Sequence, residues 1–179
     1  KFALHEKRFM VFDEGPVFKN VENFFKYYPN KTINSKAYYN INDTWYKEYD
    51  YLITTNNFGL VQKNNIVKNK DSILFLGDSF VEGQGADAWL NKFDGKFKNY
   101  QIINGGILGT GPQQFELLEK HISNEFEIKK VIFFYIGDDF RRGVFSISDK
   151  SLNCIKNFRD CKGNENFYGF PSDNHNNQM

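Results

Sequence analysis

The chain has 179 residues, 40% hydrophobic and 25% charged, enough apolar material for one folded domain or slightly more. Its formal net charge is +1, from 23 Lys and Arg against 22 Asp and Glu, which gives no electrostatic case for nucleic acid or an anionic membrane as partner. No run approaches the ~18 apolar residues of a membrane span, and no signal peptide is visible, although a start at Lys1 leaves room for a leader or anchor upstream.

Residues 1–70 read as an irregular, aromatic-rich extension that packs on the domain behind it. Gly15-Pro16 and Tyr28-Pro29-Asn30 are turn signals. Lys47 to Ile53 reads as a strand that leads into the turn Asn56-Asn57-Phe58-Gly59. Residues 71–179 read as an α/β domain. Ser72-Ile73-Leu74-Phe75-Leu76 is a short apolar run ending in Gly77, the pattern of a strand buried on both faces. Residues 85–97, around Ala86, Ala88, Trp89, Leu90 and Phe93, suggest a short helix. Tyr100 to Asn104 is a second buried strand, followed by the glycine-rich loop 105–111. Pro112 stands where a helix can begin, and Phe115, Leu118 and Ile122 recur at helical spacing to about Phe126. Lys130 to Ile136 is a third strand, ending at Gly137-Asp138-Asp139. The tail after Arg142 is polar and without periodicity, and the domain is expected to continue beyond Met179.

Strands alternating with helices predict a parallel sheet with helices on its faces, whose site lies at the carboxyl ends of the strands. All three strands end in glycine and polar residues: Gly77-Asp78-Ser79, Asn104-Gly105-Gly106 and Gly137-Asp138-Asp139. Ser79 follows a buried strand and precedes a helix turn, so it is either a raised nucleophile or a residue that caps the helix. The run Gly77 to Gly85 lacks the Gly-Lys-Ser/Thr of a phosphate loop, neither glycine cluster fits Gly-x-Gly-x-x-Gly, and Val81 replaces the last glycine of a Gly-x-Ser-x-Gly elbow. Aromatic residues reach 18%. Their ordinary use is core packing; their functional use here is a stacking surface for a sugar-like ligand. Cys154 and Cys161 lie close together in a polar stretch, without the second Cys pair or His cluster of a zinc site. They fit a local disulfide in an oxidising compartment or two free thiols.

Leu76-Gly77-Asp78-Ser79-Phe80-Val81-Glu82-Gly83-Gln84-Gly85 resembles block I of the SGNH/GDSL hydrolases. Asn104-Gly105-Gly106-Ile107-Leu108-Gly109-Thr110-Gly111-Pro112-Gln113 resembles block II, with Gly109 at the family glycine. Tyr135-Ile136-Gly137-Asp138-Asp139-Phe140 resembles block III, which is normally Gly-x-Asn-Asp. Thr54 to Leu60 is similar to the approach segment of bacterial members. The resemblance covers roughly residues 45–145 and implies a three-layer α/β/α fold with a flavodoxin-like parallel sheet. It implies a nucleophile at Ser79, with Asp78 beside it, that attacks an ester carbonyl and forms an acyl-enzyme. Backbone N–H groups of Ser79 and Gly109 and a block III side chain, here Asp138 with Asp139 next to it, would hold the oxyanion. A histidine from a C-terminal Asp-x-x-His motif would be the base. The implied substrate is a small-molecule, glycan or lipid ester, with no metal or organic cofactor. The implied setting is a bacterial exported, periplasmic or envelope-associated protein.

The chain departs from the family pattern at two points. Asp138 occupies the asparagine position, and an ionised carboxylate accepts hydrogen bonds but donates none. It helps an oxyanion only when protonated, or when its charge is turned toward Arg141 or Arg142. No Asp-x-x-His is present. His5 lies in the extension and His121 in the helix after block II. His175 follows Ser172-Asp173-Asn174, where the motif needs aspartate at 172. His175 is the candidate within the chain; otherwise the motif lies downstream of Met179. The competing expectation is a catalytically degenerate binding module for a glycan or acyl ligand.

Overall fold

The computed structural model describes residues 7–13, 17–21, 24–137 and Asp139. The first half is built of antiparallel strands. β1 (Lys7–Phe12), β4 (Thr32–Ile41) and β5 (Thr44–Thr54) form one sheet in the order β1-β4-β5. β2 (Phe18–Val21) and β3 (Phe24–Tyr27) form a separate hairpin, with Phe18 opposite Tyr27. The stretch read as irregular is therefore largely strand. Its Phe, Tyr, Ile and Thr residues suit a pleated, half-buried surface, and the β4–β5 pairing runs from Ile41/Thr44 back to Thr32/Thr54. The turn expected at 56–59 is present: Asn56 N–H donates to Leu60 O and Gly59 N–H to Asn56 O.

The second half holds a parallel sheet of β6 (Ser72–Gly77), β7 (Gln101–Gly106) and β8 (Ile128–Phe133), in the order β7-β6-β8. β6 is buried at every position because it lies between the other two and is covered on both faces. Its side chains alternate between those faces. Leu74 and Leu76 join Ile103 and the helix residues Phe115, Leu118 and Ile122 in the main core. That core is continuous with Ile33, Ala37 and Ile53 of the antiparallel sheet and with Phe18, Phe25 and Tyr27 of the hairpin. Ile73 and Phe75 pack instead with Ile102, Val81 and Leu90. Each fully buried Leu, Ile or Phe contributes about 1.5–3 kcal/mol, so these two clusters fix the sheet between its neighbours.

The helical content is small. α1 (Ser79–Glu82) is a single turn, and Trp89–Phe93 is a 3-10 turn. α2 (Pro112–Ser123) begins with Pro112 in its first turn, as the sequence predicts, and Gln114 Oε1 accepts from the Gly111 N–H. The helix expected over 85–97 shrinks to the 3-10 turn because Gly85, Asp94 and Gly95 bracket it, and glycine and aspartate are poor helix formers. The three-layer α/β/α, flavodoxin-like SGNH fold expected above is thus not found. The described residues are mostly strands, in two antiparallel sheets plus one parallel sheet.

Candidate active site

The parallel register brings three loops to one end of the sheet. Gly77 of β6 is level with Gly106 of β7, and Leu76 with Phe133 of β8. The connections stay close past the strand ends: Ile107 N–H donates to Gly77 O, and Phe134 N–H to Leu76 O. Ser79 stands two residues beyond β6, the middle strand. Gly109 stands three residues beyond β7, and Asp139 follows β8.

Ser79 opens α1. Asp78 is its N-cap, and Asp78 Oδ1 accepts from the Phe80 N–H at 2.9 Å. Asp78 is buried and holds the turn that presents Ser79, which assigns it a structural role. α1 has one turn, so any stabilisation of charge at Ser79 rests on individual N–H groups rather than on a macrodipole. Ser79 is partly exposed. Next to it, Phe80 is 68% exposed and offers an apolar surface beside the hydroxyl.

The block II loop is held tightly at its base and is open at its tip. A Cβ on Gly106 would lie 2.1 Å from Glu82 N, so only glycine lets β7 approach α1 this closely. Asn104 Oδ1 accepts from Gly106 N–H, and its amide donates to Val61 O at 2.8 Å. Thr110 Oγ1 donates to Ile107 O at 2.6 Å. At the tip, Gly109 has φ +71°, and a Cβ there would meet nothing within 4 Å. Among the described residues, neither the Ser79 N–H nor the Gly109 N–H donates a hydrogen bond. Asp139 is fully buried, and its Oδ2 accepts from the Ile136 N–H at 3.0 Å. It closes the turn after β8.

Glu82 received no role from the sequence. It is 1% exposed, beneath β3 and β5. Its Oε2 accepts from the Leu108 N–H at 2.6 Å. The Tyr27 hydroxyl faces it without closing a regular hydrogen bond. Burial pushes its carboxyl up to about 8, helped by Asp78 and opposed by the Leu108 N–H and Tyr27. Burial and the Glu82 charge in turn push the Tyr27 and Tyr51 hydroxyls above their usual range. The signal in the sequence is a single acid flanked by Val81 and Gly83, one turn after a wholly apolar strand.

His121, the one histidine among the described residues, is not part of this site. It packs on the Phe24 and Phe58 rings with Lys26 Nζ 3.4 Å away. α2 starts at the site end and runs away from it, and the nine residues from Pro112 to His121 cover about 14 Å. His175, Asp138, Arg141, Arg142, Cys154 and Cys161 lie outside the described residues, as do His5 and Gly15-Pro16. Among the described residues, no three His, Cys, Asp or Glu side chains are placed to hold a metal ion. No helix among them is long and apolar enough to cross a membrane.

Comparison with protein-family models, curated proteins and solved structures finds no match. The chemistry of the site therefore rests on its own geometry: a partly exposed serine at the end of the central strand, with two backbone donors on adjoining loops that meet no acceptor among the described residues.

Proposed function

We propose that this chain is a serine-dependent esterase or O-acyltransferase domain that acts through Ser79. The observation that carries the reading is the pair of N–H groups, on Ser79 and Gly109, that donate to no acceptor among the described residues, at the end of the parallel sheet where Ser79 stands. Such donors stabilise the negative oxygen that forms when a hydroxyl attacks an ester carbonyl. In this reading Ser79 Oγ bonds to the acyl carbon and gives up its proton to a base. The alcohol leaves with a proton, and water or a second alcohol then takes the acyl group. His175 is the base candidate within the chain. The motif order, which resembles that of the SGNH/GDSL hydrolases, supports the same assignment. The substrate class is an ester of a glycan, a lipid or a small alcohol.

A second reading is a non-catalytic binding module. It is favoured by Asp138 at the position of an oxyanion-donating asparagine and by the absence, among the described residues, of a hydrogen-bond partner for Ser79 Oγ. Turnover of short-chain p-nitrophenyl esters by the 179-residue chain separates the two. The first reading predicts saturable hydrolysis that Ser79→Ala removes. Turnover equal in the folded wild type and in Ser79→Ala leaves the binding module.

A further inference from the structure

We propose that Glu82 is a positioning residue for the Ser79 site, its carboxyl tying the loop that carries Gly109 to the turn that carries Ser79. This deepens the acyl-transfer reading above and rests on it for its catalytic consequence. The geometry is specific. Glu82 is the last residue of α1, three after Ser79, and Leu108 is the residue before Gly109. One short bond, Leu108 N–H to Glu82 Oε2 at 2.6 Å, therefore links the two candidate oxyanion donors through a total of four covalently adjacent steps.

The rest of the loop leaves that bond as its anchor at the tip. Ile107 N–H is used on Gly77 O and Thr110 N–H on Ile107 O, while the Gly109 N–H donates to none of the described residues. Gly106 packs directly on the α1 backbone, so the loop base and α1 already move together. The Glu82 bond extends that coupling to the residue beside Gly109.

Tyrosines line the opposite side of the carboxyl. The Tyr27 hydroxyl faces it from β3, and the Tyr51 hydroxyl stands nearby on β5, facing Ser35 and the Gly85 backbone. Gln84, two residues on, donates to the Tyr49 hydroxyl at 2.7 Å. The antiparallel half of the molecule thus meets α1 and the residues just after it through polar side chains. Tyr27 Oη, Ser35 Oγ, Tyr51 Oη and Glu82 Oε1 are all buried without a regular hydrogen bond. Buried polar atoms in that condition are costly.

The test uses the 179-residue chain and four variants. Glu82→Met removes the acceptor at similar length. Glu82→Asp withdraws the carboxyl by about 1.5 Å, one carbon–carbon bond, and keeps its chemistry. Glu82→Gln keeps an oxygen for the Leu108 N–H, and Tyr27→Phe leaves that bond untouched. Hydrolysis of p-nitrophenyl acetate, amide hydrogen exchange at Leu108 and Gly109, and melting temperature are read on each.

Glu82→Met and Glu82→Asp are expected to lower kcat about 100-fold and at least ~10-fold, since a misplaced oxyanion donor acts in the transition state. KM should change less than about twofold, and exchange at Leu108 should accelerate. Glu82→Gln should restore kcat to within about threefold, and Tyr27→Phe should move the melting temperature alone. If Glu82→Met does not fold, Glu82→Asp decides. Unchanged kcat with a lower melting temperature in Glu82→Asp would overturn the proposal, as would unchanged exchange at Leu108. Absence of turnover in the wild type would defeat the acyl-transfer reading and the catalytic role with it, while the exchange data would still report whether Glu82 holds the loop.

Discussion

Replacing Glu82 by glutamine should flatten the pH dependence of folding stability. In the folded chain the Glu82 carboxyl keeps its proton up to about pH 8, because burial penalises its charge. The groups facing it are the Tyr27 and Tyr51 hydroxyls, the Asp78 carboxyl and the Leu108 amide. In the unfolded chain the same carboxyl loses its proton near the ordinary value of 4.5. The folded state binds the extra proton between these two pH values, so stability is full below the lower one and falls as pH rises toward the upper. Each pH unit of that window is worth about 1.4 kcal/mol, and relaxation around a buried charge reduces the sum, which leaves about 2–5 kcal/mol. Urea unfolding at pH 5, 6, 7 and 8 measures it directly. The wild type should lose stability steadily across the series. Glu82→Gln, with no proton to lose, should stay level and become the more stable of the two at pH 8. Parallel decline in both chains would refute the assignment.

Lys26 should act in the next window: burial and Lys19 lower its pKa to about 8 against the pull of Glu125. The unfolded chain then binds the extra proton up to 10.5, stability rises with pH over that range, and Lys26→Met should abolish the rise in a urea series carried from pH 8 to pH 10.5. Gly106→Ala places a Cβ 2.1 Å from Glu82 N and should cost about 3 kcal/mol or more by overpacking. Gly109→Ala meets open space and should cost only about 1–2 kcal/mol of left-handed backbone strain, both read by denaturant midpoint. Asp78→Ala removes the α1 cap and should cost about 1–2 kcal/mol, whereas Asp78→Asn, which can still accept from Phe80 N–H, should keep most of it. Asp138→Asn supplies a donor where the chain has a carboxylate and is predicted to preserve or raise ester turnover; a large loss in a folded variant would contradict that.

β6 and β7 were legible because burial on both faces writes continuous apolar runs; β8 carries a similar apolar run although it is half-buried or exposed among the described residues, and all three end within a few residues of where Leu76, Asn104 and Ile136 place them. Pro112 announced α2 for the same local reason. Of the antiparallel half, only the Lys47–Ile53 part of β5 and the turn after it were legible. In β4 the inward positions include Ser35 and Ala37, and most of β5 is exposed, so alternation carries little contrast. Its partner strand β1 pairs across more than twenty residues, with Phe12 opposite Ser35, a contact no local pattern specifies. The layer architecture inferred from the motifs failed for this reason: four of the five strands in the first half, all but β5, were hidden in a stretch that looked irregular. At the site, Ser79 and Gly109 could be named because glycines mark strand ends. The part played by Glu82 could not, since it depends on β3 and β5 closing over a carboxyl that sequence alone leaves free to face water.

The central claim is that Ser79 is an activated nucleophile. The most direct measurement is to treat the 179-residue chain and its Ser79→Ala variant with a fluorophosphonate and locate the adduct by peptide mass spectrometry. The account predicts a single phosphonyl group on Ser79, absent from the variant. A folded wild-type chain that stays unlabelled, or that is labelled equally with and without Ser79, would contradict it.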